Sequence, residues 1–144
     1  MSQPAPLSAE DEVVELCREL IRIDTSNYGD NTGPGERKAA ELVAERLAEV
    51  GLTPTIIESA PSRANVVTRL EGADPSRPAL LLHGHLDVVP AQAADWQVDP
   101  FSAEVRDDCI WGRGAVDMKD MDAMILATVR EYARTGTKPP RDLV

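Results

Sequence analysis

The only two histidines of the chain lie in one short segment, His83-Gly84-His85-Leu86-Asp87, directly after the apolar run Ala79–Leu82. An apolar run without alternation is typical of a strand covered on both faces. Ligands of open α/β sheets bind at the carboxyl ends of strands, so His85 and Asp87 lie where a site is expected. The spacing His-x-Asp allows both residues to bind a metal ion, or Asp87 to fix the tautomer of a histidine ligand. Taken alone, His85 is more readily explained as an ordinary loop histidine.

A second segment, Gly112-Arg113-Gly114-Ala115-Val116-Asp117-Met118-Lys119-Asp120, places two glycines before a predicted helix and an aspartate at its start. By itself this pattern favours a helix cap, in which Asp117 accepts hydrogen bonds from the first helical amides. Considered with His85 and Asp87, it has a second interpretation. One histidine and two aspartates on two loops suit a divalent ion, and zinc accepts imidazole and carboxylate ligands together.

The elements that position these residues follow from the spacing of apolar side chains. Ser8-Ala9-Glu10-Asp11 has the pattern of a capping box and predicts the start of a first helix. Pro34 suits the first turn of a second helix that ends at Gly51, and a third helix is predicted from about Asp117 to Gly136. Met121, Ile125, Thr128/Val129 and Tyr132 are predicted to form the buried side of the third helix.

Short β-branched or aliphatic runs between the helices predict the strands. They are Thr53–Glu58, Asn65–Leu70 and Ala79–Leu82, a hairpin of Ala103–Val105 with Cys109–Trp111, and the beginning of a further strand at Arg141. Helices that alternate with strands indicate an α/β fold with a mainly parallel sheet. Residues 1–7, with two prolines and no periodicity, are predicted to be a disordered tail.

Composition excludes several classes of function. The chain has 144 residues, with 15 Lys and Arg against 25 Asp and Glu, and a net charge of −10. Nucleic-acid binding and attraction to anionic membranes both need clustered cations, so neither is expected. Cys17 and Cys109 form no disulfide framework, and the first residues lack the features of a signal peptide. These features predict a soluble, cytoplasmic protein.

The two loops together resemble a known family. His85-Leu86-Asp87 after an apolar strand, then Trp96 with Asp99-Pro100-Phe101, then Gly112-Arg113-Gly114 with Asp117-Met118-Lys119, are similar to the di-zinc peptidase and deacylase family. That family includes aminoacylases, acetylornithine deacetylase, succinyl-diaminopimelate desuccinylase and glutamate carboxypeptidase. The resemblance implies a partial three-layer α/β/α catalytic domain, phosphorylase/hydrolase-like, with a mainly parallel or mixed sheet and truncated at the C-terminus.

The resemblance also implies roles for individual residues. His85 matches a zinc ligand, Asp117 the carboxylate that bridges two zinc ions, and Asp87 the catalytic-site residue that orients the histidine, whereas His83 matches no ligand. It further implies a cis peptide bond between Asp117 and Met118. The implied cofactor is Zn²⁺, two ions in a complete enzyme, with Co²⁺ or Mn²⁺ as alternatives.

What the resemblance leaves outside the chain is equally informative. In the family a Glu-Glu pair beyond the next strand supplies the general base and a ligand, and a smaller lid domain carries dimer contacts. Residues 8–144 are therefore interpreted as the N-terminal portion of a zinc-hydrolase catalytic domain without its lid. The implied reaction is cleavage of the amide bond of small N-acyl amino acids or peptides by a metal-activated water, in a homodimer. The 144-residue chain alone is expected to be inactive. The alternative is a non-catalytic α/β module that binds a metal or a partner.

Overall fold

The computed structural model describes residues 7–30 and 32–144. Apart from Leu7, the predicted tail therefore lies outside the described residues. Within these residues, one 3-10 turn lies at Ala93–Asp95, and three α-helices and four short strands follow one another. They are α1 (Ala9–Ile21), α2 (Arg37–Ala48), β1 (Thr55–Ala60), β2 (Arg63–Val67), β3 (Glu104–Arg106), β4 (Cys109–Trp111) and α3 (Lys119–Thr135).

Helices α1 and α3 pack against each other and form the centre of the core. Leu16, Leu20 and Ile21 of α1 are buried with Ala123 and Ala127 of α3. The two alanines have no side chain beyond Cβ, which lets the helices approach closely. Helix α1 begins as predicted, because Ser8 and Asp11 form the reciprocal hydrogen bonds of a capping box. Helix α3 ends as predicted at Gly136, whose φ of 67° is left-handed.

Two predictions about the helices are wrong. Helix α2 begins at Arg37 rather than at Pro34, because Gly35 turns the chain with a φ of +71° and the amides of Glu36 and Arg37 both donate to the carbonyl of Ser62. In α3, Met121 and Thr128 are exposed, whereas Val129 is buried and Ile125 and Tyr132 pack against the core as predicted. The buried face of α3 instead includes two charged residues, Lys119 and Arg130, that find oxygen partners inside the protein.

The named strands form two antiparallel pairs, β1 with β2 and β3 with β4. The second pair is the predicted hairpin. Parallel pairing occurs as isolated bridges, Ser26 with Val88 and Leu80 with Leu143. The run Ala79–Leu82, predicted as a buried strand, forms only the isolated parallel bridge at Leu80, and its Leu81 is 67% exposed. Its backbone does pair with residues 142–144. Ala79, Leu80 and Leu81 are exposed, so within the described residues the run is not covered on both faces.

The segment after α1 holds the loop that contains His85 and Asp87. The amide of Val88 donates to Thr25 at 3.1 Å, and the amide of Asn27 donates to Val88 at 2.8 Å. The buried Thr25 hydroxyl donates to the carbonyl of Leu86. This short parallel connection fixes the backbone on either side of Asp87. In the described part of the chain, no helix is both long and apolar enough to cross a membrane.

Candidate metal centre

The structure brings His85, Asp87 and Asp117 together, although Asp117 lies 32 residues after His85 in the sequence. His85 Nε2 is 3.0 Å from Asp117 Oδ1. On its other side, His85 Nδ1 lies 3.0 Å from the backbone carbonyl of Asp87 and 3.2 Å from Asp87 Oδ1. Both acceptors of Asp87 favour a proton on Nδ1, so Nε2 is the nitrogen that can bind a metal ion or, without one, donate a second proton in a hydrogen bond to Asp117.

Asp117 does not cap the helix that follows it. Met118 occupies the N-cap position of α3, without a side-chain cap hydrogen bond. The peptide bond between Asp117 and Met118 is cis, as the family resemblance implies. The Asp117 side chain is 86% exposed and contacts His85 instead of the first helical amides. The interpretation of Asp117 as an ordinary helix cap is therefore wrong.

A cleft of about 410 Å³ opens over these residues. Asp117, His85, Asp87 and Asn27 line it, together with two exposed apolar side chains, Val89 and Val116. His83 does not line this cleft. The cleft therefore presents an imidazole and carboxylates beside an apolar rim, a composition common in sites for small molecules.

The donor atoms fit half of a zinc coordination shell. Two ligands of a tetrahedral zinc ion at bond lengths of about 2.0–2.1 Å lie about 3.3 Å apart, and the observed separation between His85 Nε2 and Asp117 Oδ1 is 3.0 Å. Within residues 7–30 and 32–144, no group of three or more His, Cys, Asp or Glu side chains is arranged to hold a metal ion. The described residues therefore offer two ligands of the right chemistry, and a complete shell needs others.

A half-buried carboxylate, Asp122, and a buried ammonium, Lys119, lie next to this centre. Burial raises the pKa of Asp122 to about 7, against the attraction of His85 and Lys119. A Cβ on Gly84 would lie 2.0 Å from Asp122 Oδ1, so a larger residue at position 84 would require the Asp122 side chain to move. Burial lowers the pKa of Lys119 to about 8, and its ammonium donates to the carbonyls of Leu20 and Ile23 at 2.8 Å. Through these hydrogen bonds, Lys119 links the start of α3 to the end of α1.

The charge state of His85 reflects competing effects. Burial lowers the pKa of His85, but the hydrogen bonds to the Asp87 carbonyl and the Asp117 carboxylate raise it by more, so its pKa is above the usual value. Without a cation in the cleft, the two aspartates therefore favour an imidazolium.

Sequence reasoning missed three residues of this centre: Asn27, Lys119 and Asp122. The sequence contains little signal for them. Asn27 follows the predicted end of α1 in a polar stretch, and its contact with Asp87 spans 60 residues. Lys119 and Asp122 lie in an amphipathic helix, where charged residues are normally assigned to the solvent face.

Known proteins that are similar in sequence belong to the same kind of family as the one that the His85 and Asp117 loops resemble. A sequence model of peptidase family M20/M25/M40 matches residues 81–144, which contain His85, Asp87 and Asp117. The chain is 33% identical over 136 residues to mouse aminoacylase-1, covering 94% of this chain and 32% of that protein. It is 40% identical over 137 residues to succinyl-diaminopimelate desuccinylase of Methylorubrum populi, covering 92% of this chain and 31% of that protein. The chain spans about a third of the length of these curated relatives.

Solved structures agree on the fold. An M20 family metallo-carboxypeptidase from Sulfolobus solfataricus superposes with a TM-score of 0.76 at 21% identity, over 92% of this chain and 29% of that one. Human carnosine dipeptidase 1 superposes with a TM-score of 0.70 at 24% identity, over 97% of this chain and 34% of that one. By sequence motif and by fold, the chain resembles peptidase family M20/M25/M40 and corresponds to about a third of the length of its relatives.

Proposed function

We propose that this chain is the metal-binding N-terminal portion, residues 8–144, of a metal-dependent hydrolase that cleaves the amide bond of small N-acyl amino acids or peptides. The observation that carries the proposal is the 3.0 Å approach of His85 Nε2 to Asp117 Oδ1 in a cleft that Asp87 also lines. The named activities of the relatives, aminoacylase and desuccinylase, support the substrate class.

In this proposal His85 and Asp117 hold a divalent ion, Zn²⁺ in the first instance, and Asp87 orients His85. A divalent ion in such a site polarises a carbonyl oxygen and lowers the pKa of a bound water towards neutrality. Nδ1–H of His85 donates a hydrogen bond to Asp87, which keeps the proton on Nδ1 and leaves Nε2 free to bind the ion. The exposed carboxylate of Asp117 supplies negative charge at the same position. The exposed side chains of Val89 and Val116 flank the cleft and suit an apolar part of a substrate.

The remaining parts of the catalytic machinery are assigned to the rest of a longer protein. The relatives are about three times as long as this chain, which leaves room for further ligands, the general base and the lid domain. A second zinc ion, a homodimer formed through the lid and a cytoplasmic location belong to the same proposal. The 144-residue chain alone is accordingly predicted to bind a metal ion without hydrolysing amides.

Zinc binding tests the site in the chain as it stands. We expect His85→Ala and Asp117→Asn each to lower the affinity for Zn²⁺ about 10-fold or more, measured by competition with a fluorescent chelator. His83→Ala is the matched control, since His83 does not line the cleft, and it is expected to change the affinity less than 2-fold. Equal losses for His83→Ala and His85→Ala would contradict the assignment.

Activity is tested with the complete open reading frame that contains this sequence. We expect metal-dependent release of amino acids from N-acetyl amino acids or dipeptides, abolished by Asp117→Asn. A folded, zinc-binding protein that hydrolyses none of these substrates would overturn the proposed reaction and favour a non-catalytic metal- or partner-binding module. A Glu-Glu pair soon after Val144 in the reading frame is expected only for the hydrolase.

A further inference from the structure

Asn27 lies where the segment after α1 meets the loop that contains the metal centre. Its backbone amide donates to Val88 at 2.8 Å, and the amide of Val88 donates to Thr25 at 3.1 Å. These backbone hydrogen bonds form with any side chain at position 27. The half-buried side chain of Asn27 is therefore not needed for this pairing, and its own contacts call for a separate explanation.

Two partners fix the orientation of the Asn27 amide. Its Oδ1 accepts a hydrogen bond from the backbone amide of Gly29 at 2.9 Å, and its Nδ2 donates to Asp87 Oδ2 at 2.7 Å. The opposite orientation would set an amide oxygen against a carboxylate oxygen and an NH₂ group against an N–H group. Since only the first orientation matches a donor with an acceptor at both ends, Asn27 is a donor to Asp87.

Because Asn27 donates to one carboxylate oxygen of Asp87, the other oxygen is the one that faces His85. Oδ2 of Asp87 is engaged by Asn27, while Oδ1 lies 3.2 Å from His85 Nδ1. The Asp87 side chain is 30% exposed, so without Asn27 water would solvate Oδ2 and the carboxylate would be free to rotate away from the imidazole. The contacts form a continuous path from Gly29 through Asn27, Asp87 and His85 to Asp117.

We propose that Asn27 is a positioning residue of the metal centre: it holds the Asp87 carboxylate so that Oδ1 faces His85, and thereby raises the affinity of His85 for the metal ion. The inference rests on the proposed function, because it concerns the ion that His85 and Asp117 hold there. Removing a direct hydrogen-bond partner of a metal ligand typically lowers metal affinity about 10–100-fold. Asn27 acts one hydrogen bond further away, so the expected loss is about 3–10-fold.

A double-mutant cycle on Zn²⁺ affinity of the 144-residue chain tests this role. Asn27→Ala is expected to lower the affinity about 3–10-fold with Asp87 present and less than 2-fold in the Asp87→Ala background, because its effect passes through Asp87. Asn65→Ala, at an exposed asparagine of β2, is the control for the same chemical change and is expected to leave the affinity unchanged. An equal loss for Asn27→Ala in both backgrounds would show a general structural role and overturn the inference.

A metal-free measurement separates this inference from the proposed function. In ¹⁵N-edited NMR spectra, the Asn27 side-chain NH₂ protons are expected downfield of those of Asn65, and Asp87→Ala is expected to remove that difference. If the difference is present but His85→Ala leaves zinc affinity unchanged, the proposed metal site fails while the contact stands. If His85→Ala lowers the affinity and Asn27→Ala does not, the inference about Asn27 alone is overturned.

Discussion

The half-buried carboxylate of Asp122 makes the stability of the metal-free chain depend on pH in a predictable direction. Among the described residues, its Oδ2 has no hydrogen-bond partner, and burial raises its pKa from 3.8 to about 7. Between these two values the folded chain retains a proton that the unfolded chain has lost. The contribution of Asp122 to the free energy of unfolding therefore falls as the pH rises from about 4 to about 7.

The size of the effect follows from the shift. About three pH units at about 1.4 kcal/mol each give an upper value of about 4 kcal/mol. The side chain is partly exposed, and solvent screening reduces this to about 2 kcal/mol. Asp122→Asn keeps the shape and removes the charge. It is therefore expected to increase the free energy of unfolding by about 2 kcal/mol at pH 8 and to change it little near pH 4.

Urea denaturation in the presence of EDTA, at one-unit steps from pH 4 to pH 8, measures this difference. Asp95→Asn, at an exposed aspartate, is the matched control and is expected to stay within about 0.5 kcal/mol of the unmodified chain at every pH. If Asp122→Asn is no more stable than the unmodified chain at pH 8, or shows the same pH dependence, the reasoning from burial is refuted.

Three further predictions concern stability and reactivity. Gly35→Ala places a Cβ 2.3 Å from the carbonyl oxygen of Ser62 and should lower the free energy of unfolding by at least about 2–3 kcal/mol. Gly51→Ala, also at positive φ but with open space around it, should lower it by about 1 kcal/mol. Equal losses in thermal denaturation would contradict this prediction. Glu12→Ala removes the buried carboxylate that pairs with Arg130 and Arg134 and, among the described residues, leaves Arg130 only the half-exposed Glu49 as a carboxylate partner. It should cost about 3 kcal/mol in urea denaturation, against less than about 1 kcal/mol for the exposed Glu15→Ala. A loss for Glu12→Ala as small as that for Glu15→Ala would refute the role of the buried pair. The exposed Cys109 should react with a thiol reagent in the folded chain. Cys17 is buried, and burial raises its pKa to about 11, so it should react only after denaturation. Modification of both cysteines at the same rate would contradict this and show that the core around Cys17 opens readily.

Local physics made part of the fold predictable. The capping box at Ser8, the left-handed Gly136 and the hairpin of β3 and β4 depend on residues within a few positions of one another. The strand predicted at Ala79–Leu82 is reduced to a single bridge because strand formation depends on partners distant in sequence, and among the described residues its backbone pairs with residues 142–144 alone. Met121 was misplaced because Lys119 and Arg130 are buried on the face that a polarity pattern assigns to solvent.

The metal centre was predictable to the extent that its residues carry a motif. His85, Asp87 and Asp117 could be chosen from residue type, spacing and resemblance, and their side chains do converge. Their roles as ligands and orienting residue remain predictions. Asn27 could not be chosen, because a polar residue after a helix has many explanations and only the tertiary structure places its amide against Asp87.

A crystal structure of the zinc-loaded chain, with anomalous difference maps recorded above and below the zinc absorption edge, tests the central claim most directly. We predict a zinc peak bonded to His85 Nε2 and an oxygen of the Asp117 carboxylate at about 2.0–2.2 Å, with Asp87 still facing His85 Nδ1. A zinc peak at His83 or elsewhere, with the cleft at His85 and Asp117 empty, would contradict it.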